Sequence, residues 1–303
     1  MIALDDIRKS FKGKISINEP LSKYTTFRVG GTADIYLEPN DKEDAIAIIS
    51  YLQKMKIPRF IMGNGSNILI SDEGIQGAVI NLEFGFNKIN YKPECELITA
   101  GAGIKLAQFV DYSISQNKSG VEMLAGIPGT LGGAIIMNAG AYGGEISEYL
   151  IDVLVIRDGS LLTIPKNEAG FEYRNSALQN DVVLEATFKL PEGIKEDLKI
   201  SRRETMLKRN NSQPVQLPNA GSIFKNPKGT FAAKLIEECG LKGLKIGGAE
   251  VSALHANFIV NISNAKANDI LLLAEEVRTR VFNKTGIMLE YEIKLLGFDV
   301  IKN

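Results

Sequence analysis

Three glycine clusters carry the most legible chemistry in this sequence. "GNGSN", Gly63 to Asn67, follows the apolar run "RFIM". Glycines reach positive φ, so the N–H groups of Gly63, Asn64 and Gly65 can converge on an anion, and Ser66 and Asn67 add side-chain donors. "GAGIKLA", from Gly101, imitates the dinucleotide pattern G-x-G-x-x-G, but Leu106 stands where the third glycine belongs. Glu122 lies about as far on as a ribose-binding acid would; even so, the partial match reads better as a tight strand-to-helix turn. The third cluster, "GIPGTLGGAIIMNAGAYGG" (126–144), holds seven glycines and no lysine. It lacks G-x-x-x-x-G-K-[ST], so it is not an ATP-phosphate loop. Two readings fit it: a packed structural turn, or a side-chain-poor wall for a flat multi-ring ligand with a diphosphate. Its pairing with "GNGSN" favours a nucleotide-like ligand.

A second group of residues could handle protons. In "LEYEIKLLG" (289–297), Leu289, Tyr291, Ile293 and Leu295 alternate with Glu290, Glu292 and Lys294. Two carboxylates on one strand face can raise one another's pKa, which suits an acid that donates a hydrogen bond. A solvated strand face is the plain alternative. His255 is the single histidine. His-rich metal sites are therefore excluded, a Ser-His-Asp triad has one candidate histidine and no supporting motif, and no metal is expected. Cys95 and Cys239 lie far apart and outside any C-x-x-C. That pattern fits buried thiols in a reducing cytoplasm.

The elements that must position these residues alternate apolar runs with turns. "ADIYLEP" (33–39) predicts a strand. "NDKEDAIAIISYLQKMKI" predicts a helix capped by Asn40 or Asp41, with Ala45, Ile48, Ile49, Leu52 and Met55 on one face. "RFIMG", "NILIS" and "GAVINL" follow as strands. "CELITAGAGIKLAQFVDYSISQ" reads as strand, turn and helix, burying Leu106, Phe109, Val110 and Ile114. "LIDVLVIRDGSLLTI" predicts a hairpin around Asp158-Gly159, and "DVVLEATFKL" a strand. "LPEGIKED" breaks the pattern and marks a boundary, giving domains 1–194 and 195–303. Beyond it, "TFAAKLIEECG" predicts a helix stopped at Gly240. "NDILLLAEEVRTRVFNKTG" predicts one opened by Asn268 and closed near Gly286. "HANFIVNI" and "LEYEIKLLGF" read as strands. The fold class is α+β.

The 303 residues suffice for two domains. A net charge of −1, with no block of like charges, gives no reason to expect nucleic-acid or membrane-surface partners. "KISRRETMLKR" (199–209) reads as a solvated helix face. No run reaches the roughly 18 apolar residues of a membrane span, and the first 14 residues lack the apolar core of a signal peptide. A cytoplasmic protein is expected.

Taken together, the long collinear motifs resemble those of the UDP-N-acetylenolpyruvoylglucosamine reductases, flavoproteins of peptidoglycan precursor synthesis. The motifs are "TTFRVGGTAD" (25–34), "GNGSNILISDEG" (63–74), "GIPGTLGGAIIMNAGAYGGEI" (126–146), "FEYRNSAL" (171–178), "AGSIFKNP" (220–227), "AAKLIEECGLKGLKIGGAEVS" (232–252) and "LEYEIKLLG" (289–297). The resemblance implies an FAD-binding fold of the vanillyl-alcohol oxidase (PCMH-type) superfamily, followed by a smaller substrate-binding domain. It makes "GAGIKL" a decoy. FAD would be bound non-covalently, its diphosphate against Gly63, Asn64, Gly65, Ser66 and Asn67. Its ring would lie against Ile127, Pro128, Gly129, Gly132, Gly133, Asn138, Gly140, Ala141 and Gly143. NADPH would be the co-substrate, and a sugar nucleotide the partner.

Three residues match the family's catalytic positions. Arg174 would meet the substrate carboxylate as it becomes enolate-like, Ser222 would give the proton, and Glu292 (with Glu290 as the fallback) would support the enolate. Tyr173, Lys225 and Asn226 would contact substrate. Lys294 stands where the family often has arginine. "YRNSALQNDVVLEATF" runs straight into a strand, so the chain resembles the branch without a tyrosine-bearing loop. A flavin oxidase of the same superfamily and a non-catalytic nucleotide-binding protein are the rival readings. His255 is a structural residue or a substrate contact.

Overall fold

In the computed structural model residues 4–298 are described. They form two compact units. One comprises the chain up to Ile17, Ile35–Asn64 and Gly77–Leu207; the other comprises Asn18–Asp34, Gly65–Gln76 and the chain from Lys208. The division is discontinuous, and its last boundary falls inside the helix Lys195–Ser212. The grouping comes from long-range packing: Phe27, Val29 and Leu69 are buried in one cluster with Phe224, Val251, Leu273 and Ile293.

The first unit holds one whole sheet and most of a second. One is antiparallel throughout, ordered Ser160–Pro165, Leu150–Arg157, Val182–Phe188, Leu97–Gly101, Ile89–Lys92. The other is ordered Lys14–Pro20, Thr32–Glu38, Ile75–Asn81, Arg59–Met62, its last two strands parallel. The hairpin at Asp158-Gly159 forms as expected. Both residues have positive φ (50° and 78°), and Arg157 pairs with Ser160, the geometry whose twist matches flanking strands.

The helix Lys42–Lys54 starts at Asp41, whose carboxylate accepts the Asp44 N–H at 2.8 Å. Ala45, Ile48, Ile49 and Leu52 are buried, each large side chain contributing about 1.5–3 kcal/mol by leaving water. Met55 is exposed, contrary to the periodicity, because the helix ends one residue before it. The helix Leu106–Ser115 buries Leu106, Phe109, Val110 and Ile114, and Phe109 packs on Phe188 at 4.7 Å. Cys95 is exposed in the turn joining Ile89–Lys92 to Leu97–Gly101, and Cys239 is half-buried at a helix end. Neither is the fully buried thiol expected, because both sit where elements end.

In the second unit, Lys245–Ile246, Ala249–Val251 and Ile259–Asn261 form a small antiparallel sheet. The helix Ala267–Thr285 packs Ile270, Leu273, Ala274, Val277 and Val281 inward. It begins before Asn268, since the Asp72 carboxylate accepts the N–H groups of Ala267 (2.9 Å) and Asn268 (3.1 Å). Gly286 (φ 73°) ends it, as expected, and Gly240 (φ 70°) follows the helix Ala232–Glu238. The expected strand over 289–298 shortens to Lys294–Leu296, because its parallel partner, Ile68–Ile70, offers only three residues. Among the described residues, no helix is long and apolar enough to cross a membrane. No group of three or more His, Cys, Asp and Glu side chains among them is placed to hold a metal.

Candidate active site

Within the first unit, two of the glycine clusters meet. A Cβ on Gly63 would lie 2.2 Å from Thr130 Oγ1, so only glycine permits this approach. Asn64 beside it is half-buried. Gly132 packs the same way, its absent Cβ 2.8 Å from that of Ala102. The other side of the stretch is open. Pro128, Gly133 and Gly143 are exposed, Ile127, Gly129 and Ala141 half-buried, and a Cβ on Gly143 would touch nothing within 4 Å, whereas one on Gly140 would lie 2.7 Å from the Gly144 carbonyl. The stretch therefore has a packed face and a bare backbone face. "GAGIKLA" is packed on both sides: Cβ atoms on Gly101 and Gly103 would strike the Phe86 and Leu82 carbonyls at 2.3 and 2.2 Å. The Glu122 carboxylate accepts the nearby Gly120 N–H at 2.9 Å. This cluster is a turn.

Asn138 organises the end of the bare face. It is buried in the left-handed region (φ 42°). Its Nδ2 donates to Glu145 Oε2 at 2.7 Å and to the Glu172 carbonyl at 3.1 Å. Its Oδ1 is buried without a hydrogen-bond partner, and a buried acceptor left this way is expensive. Glu172 and Asn175 exchange backbone hydrogen bonds, enclosing Tyr173 and Arg174 in a tight turn. Arg174 holds φ 55° there, a region that such a turn normally fills with glycine or asparagine. Its Nη2 donates to the Gly140 carbonyl at 2.9 Å, and the guanidinium lies 4.9 Å from the Tyr173 ring centroid. Ser176 Oγ and Gln179 Nε2 both donate to the Ile136 carbonyl at 2.8 Å. Arg174 is thus fixed to the glycine stretch.

Within the second unit, the main chain joins the segment that follows Ser222 to the segment that bears Glu292. The Glu292 N–H donates to the Ile223 carbonyl at 2.8 Å, and the Lys225 N–H to the Glu290 carbonyl at 2.9 Å. Asn67 holds the far side: its Nδ2 donates to the Glu292 carbonyl at 3.1 Å, and its carbonyl accepts the Lys294 N–H at 3.0 Å. Gly65 is buried and Ser66 half-buried in the same loop. Ser222 and Glu292 are half-buried, whereas the Glu290 side chain is 77% exposed and meets Lys225 Nζ at 3.8 Å. Asn226 Oδ1 accepts the Ala232 N–H at 3.1 Å. Leu289 and Ile293 are buried, so the apolar alternation holds even where no regular strand forms.

Ionisation is shaped mostly by burial. Burial holds Lys294 below its ordinary range and, as the largest cause, pulls His255 down. Burial, then the 2.8 Å hydrogen bond to Glu275, pushes Tyr291 up. His255 packs edge-on to Phe258 at 4.7 Å, with Nδ1 buried and without a hydrogen-bond partner.

Sequence reasoning missed Asn257, Glu145 and the Tyr291–Glu275–Arg278 set. Arg278 reaches the Leu289 carbonyl at 3.0 Å and stacks 5.0 Å from the Tyr291 ring, holding the segment that carries Glu292. Their spacing carries no chemical signature; a buried polar residue in an apolar run, as Asn257 is in "HANFIV", was the one available hint.

Residues 213–296 match the family described as UDP-N-acetylenolpyruvoylglucosamine reductase, C-terminal domain, and residues 33–164 match the FAD binding domain family. The chain is 47% identical over 307 residues to the UDP-N-acetylenolpyruvoylglucosamine reductase of Chloroherpeton thalassium, covering 98% of each. It is 41% identical over 300 residues to that of Desulforamulus reducens, covering 97% of each. The crystal structure of the Thermus caldophilus UDP-N-acetylenolpyruvylglucosamine reductase superposes with a TM-score of 0.81 at 36% identity, over 94% of this chain and 99% of that one. Wild-type Phl p 4.0202, a glucose dehydrogenase, superposes with a TM-score of 0.50 at 15% identity, over 63% of this chain and 44% of that one, and informs the fold alone.

Proposed function

Because the chain belongs to the UDP-N-acetylenolpyruvoylglucosamine reductase family, we propose that it uses NADPH to reduce the enolpyruvyl ether of UDP-N-acetylglucosamine to the lactyl ether, giving UDP-N-acetylmuramate for peptidoglycan in the cytoplasm. It is an oxidoreductase, with a PCMH-type FAD-binding fold followed by a C-terminal domain. Residues 1–194 serve mainly the cofactor and also lend Tyr173 and Arg174 to the substrate, and 195–303 serve the sugar nucleotide.

The residues present fit FAD. The open backbone at Gly143 leaves room for a flat ring, and the Asn138 Oδ1 is buried without a partner. Gly63, Asn64, Gly65, Ser66 and Asn67 would hold the diphosphate. Ile127, Pro128, Gly129, Gly132, Gly133, Asn138, Gly140, Ala141 and Gly143 would hold the ring. The single histidine lies within the segment matching the C-terminal domain family, outside the FAD-domain match, which supports non-covalent binding. When bound, FAD supplies the hydride.

The hydride reaches the CH2 carbon of the enolpyruvyl group, and negative charge develops on the neighbouring carbon and the carboxylate. Arg174, always charged and fork-shaped, neutralises that carboxylate. Glu292 supports the developing enolate. Ser222 Oγ–H then delivers the proton to carbon, so one hydride and one proton complete the saturated product. Serine is a weak acid and serves only because the enolate carbon is strongly basic. Stabilising charge in this way is commonly the largest catalytic effect. Tyr173, Lys225 and Asn226 contact the sugar nucleotide.

The observation that carries this reading is the hydrogen bond from Glu292 N–H to Ile223 C=O, which sets Glu292 beside the residue following Ser222. The test follows NADPH oxidation in air with and without the enolpyruvyl sugar nucleotide. Oxidation that depends on the sugar nucleotide is expected. A colourless protein unable to take up FAD, or oxidation indifferent to the sugar nucleotide, would overturn the reading; the latter outcome would favour the oxidase.

A further inference from the structure

Asn257 is 3% exposed, and its hydrogen bonds are directed at the segment that bears Ser222. Its Oδ1 accepts the Phe224 N–H at 3.0 Å, its Nδ2 donates to the Phe224 carbonyl at 2.8 Å, and its own carbonyl accepts the Ile223 N–H at 2.9 Å. One residue thereby pairs with residues 223 and 224 as a neighbouring strand would. The opposite edge of the same segment carries the Glu292 N–H to Ile223 C=O and Lys225 N–H to Glu290 C=O bonds. On the N-terminal side, Asn219 Oδ1 accepts the Gly221 N–H at 2.9 Å, while its Nδ2 donates to the Pro214 and Leu217 carbonyls. Ser222 stands between these anchored ends, and it alone of residues 222–224 is not fully buried.

Asn257 is itself fixed. Ser252 Oγ accepts the N–H groups of Leu254 and His255 at 3.2 and 3.3 Å. The Phe258 N–H closes onto the His255 carbonyl at 3.0 Å, and the Ser252 N–H onto the Phe258 carbonyl at 2.8 Å. The loop between Ser252 and Phe258 is a closed unit that presents the Asn257 amide to one place. Phe224 is buried at 1% exposure, so losing the amide leaves a buried N–H and C=O unpaired, and the main chain must shift to recover partners.

We propose that Asn257 is a positioning residue for the proton-transfer step: its amide, acting as a one-residue strand against Ile223 and Phe224, aims Ser222 Oγ at the reacting carbon. The inference rests on Ser222 being the proton donor. Because Asn257 is buried and its amide already engaged, it acts through Ser222 and not on substrate.

The test uses the FAD-loaded protein and three variants: Asn257→Ala, Asn257→Asp and Ser222→Ala. Asn257→Asp is nearly isosteric and keeps the acceptor for Phe224 N–H while losing the donor to its carbonyl. In both Asn257 variants, flavin reduction by NADPH stays within about twofold of the parent protein, whereas reoxidation by the enolpyruvyl sugar nucleotide slows, by about 10²-fold in Asn257→Ala and less in Asn257→Asp, the loss expected from a small misplacement of a reacting group. The solvent deuterium isotope effect on reoxidation rises above that of the parent, because proton delivery has become the slow event. Equal slowing of both half-reactions, an unchanged isotope effect, or an Asn257→Asp protein that does not fold would assign Asn257 to stability and overturn the proposal. If Ser222→Ala reoxidises at the parental rate, the assignment of Ser222 fails independently of how the Asn257 variants behave.

Discussion

Arg174 donates from Nη2 to the Gly140 carbonyl at 2.9 Å while its backbone holds φ 55°. The side chain proposed to meet the substrate carboxylate is therefore tied to the stretch proposed to hold the flavin. Lysine at this position keeps the charge and loses the planar fork. Arg174→Lys is expected to slow flavin reoxidation by substrate by about 10²–10³-fold, the usual cost of removing one charge-stabilising donor. NADPH-driven flavin reduction changes little. Stopped-flow absorbance of the two half-reactions checks this; parental reoxidation would place Arg174 outside the chemistry.

Ser222 and the two glutamates can be separated by the same measurement. Ser222→Ala leaves flavin reduction nearly intact and slows reoxidation by about 10² or more, the contribution general acid catalysis normally makes. Glu292→Gln slows reoxidation as well. Glu290→Gln stays close to the parent, because the Glu290 side chain is largely exposed and meets Lys225 at 3.8 Å. Reversed behaviour of the two glutamates would move the acid to Glu290.

Asn138 bears on the cofactor. Its unpartnered Oδ1 predicts that Asn138→Ala weakens FAD binding by about 1–3 kcal/mol, or roughly fivefold to more than a hundredfold in Kd, on top of lost bonds to Glu145 and Glu172. Titration calorimetry with the cofactor-free protein measures it. An unchanged Kd would remove Asn138 from the cofactor site.

His255 offers a pH test free of overlap, since it is the single histidine. Burial holds its folded pKa below the ordinary value, so the unfolded chain takes up the proton first as pH falls. Stability is unaffected by His255 above about pH 6.5 and declines below it until the folded pKa is reached. The imidazole resonances in a two-dimensional NMR titration should show a midpoint below that of a free histidine. His255→Gln should flatten the fall in melting temperature between about pH 6.5 and the native midpoint. A midpoint at or above the free value would contradict the buried, unpartnered Nδ1.

Legibility in the sequence followed the range of the interactions. Local devices were readable: the Asp41 cap, the Asp158-Gly159 hairpin, Gly240 and Gly286 as helix stops, and the buried faces of the helices after Asp41 and Lys105. Devices that join distant segments were not. Asp72 caps a helix nearly two hundred residues on, Asn67 clamps Glu292, and Asn257 pairs with Phe224. None is marked by spacing, because each depends on which loop the fold brings near. The catalytic candidates became visible only through whole-chain motifs, since an isolated arginine, serine or glutamate has no local signature.

The reduction of an enolpyruvyl ether is tested most directly in a single anaerobic turnover. The protein is loaded with FAD, bleached with one equivalent of NADPH, and mixed with one equivalent of UDP-N-acetylglucosamine enolpyruvate. Full return of the oxidised flavin spectrum is expected, with a sugar nucleotide heavier by two hydrogens. A flavin that stays bleached until oxygen is admitted, with the sugar nucleotide unchanged, would contradict it.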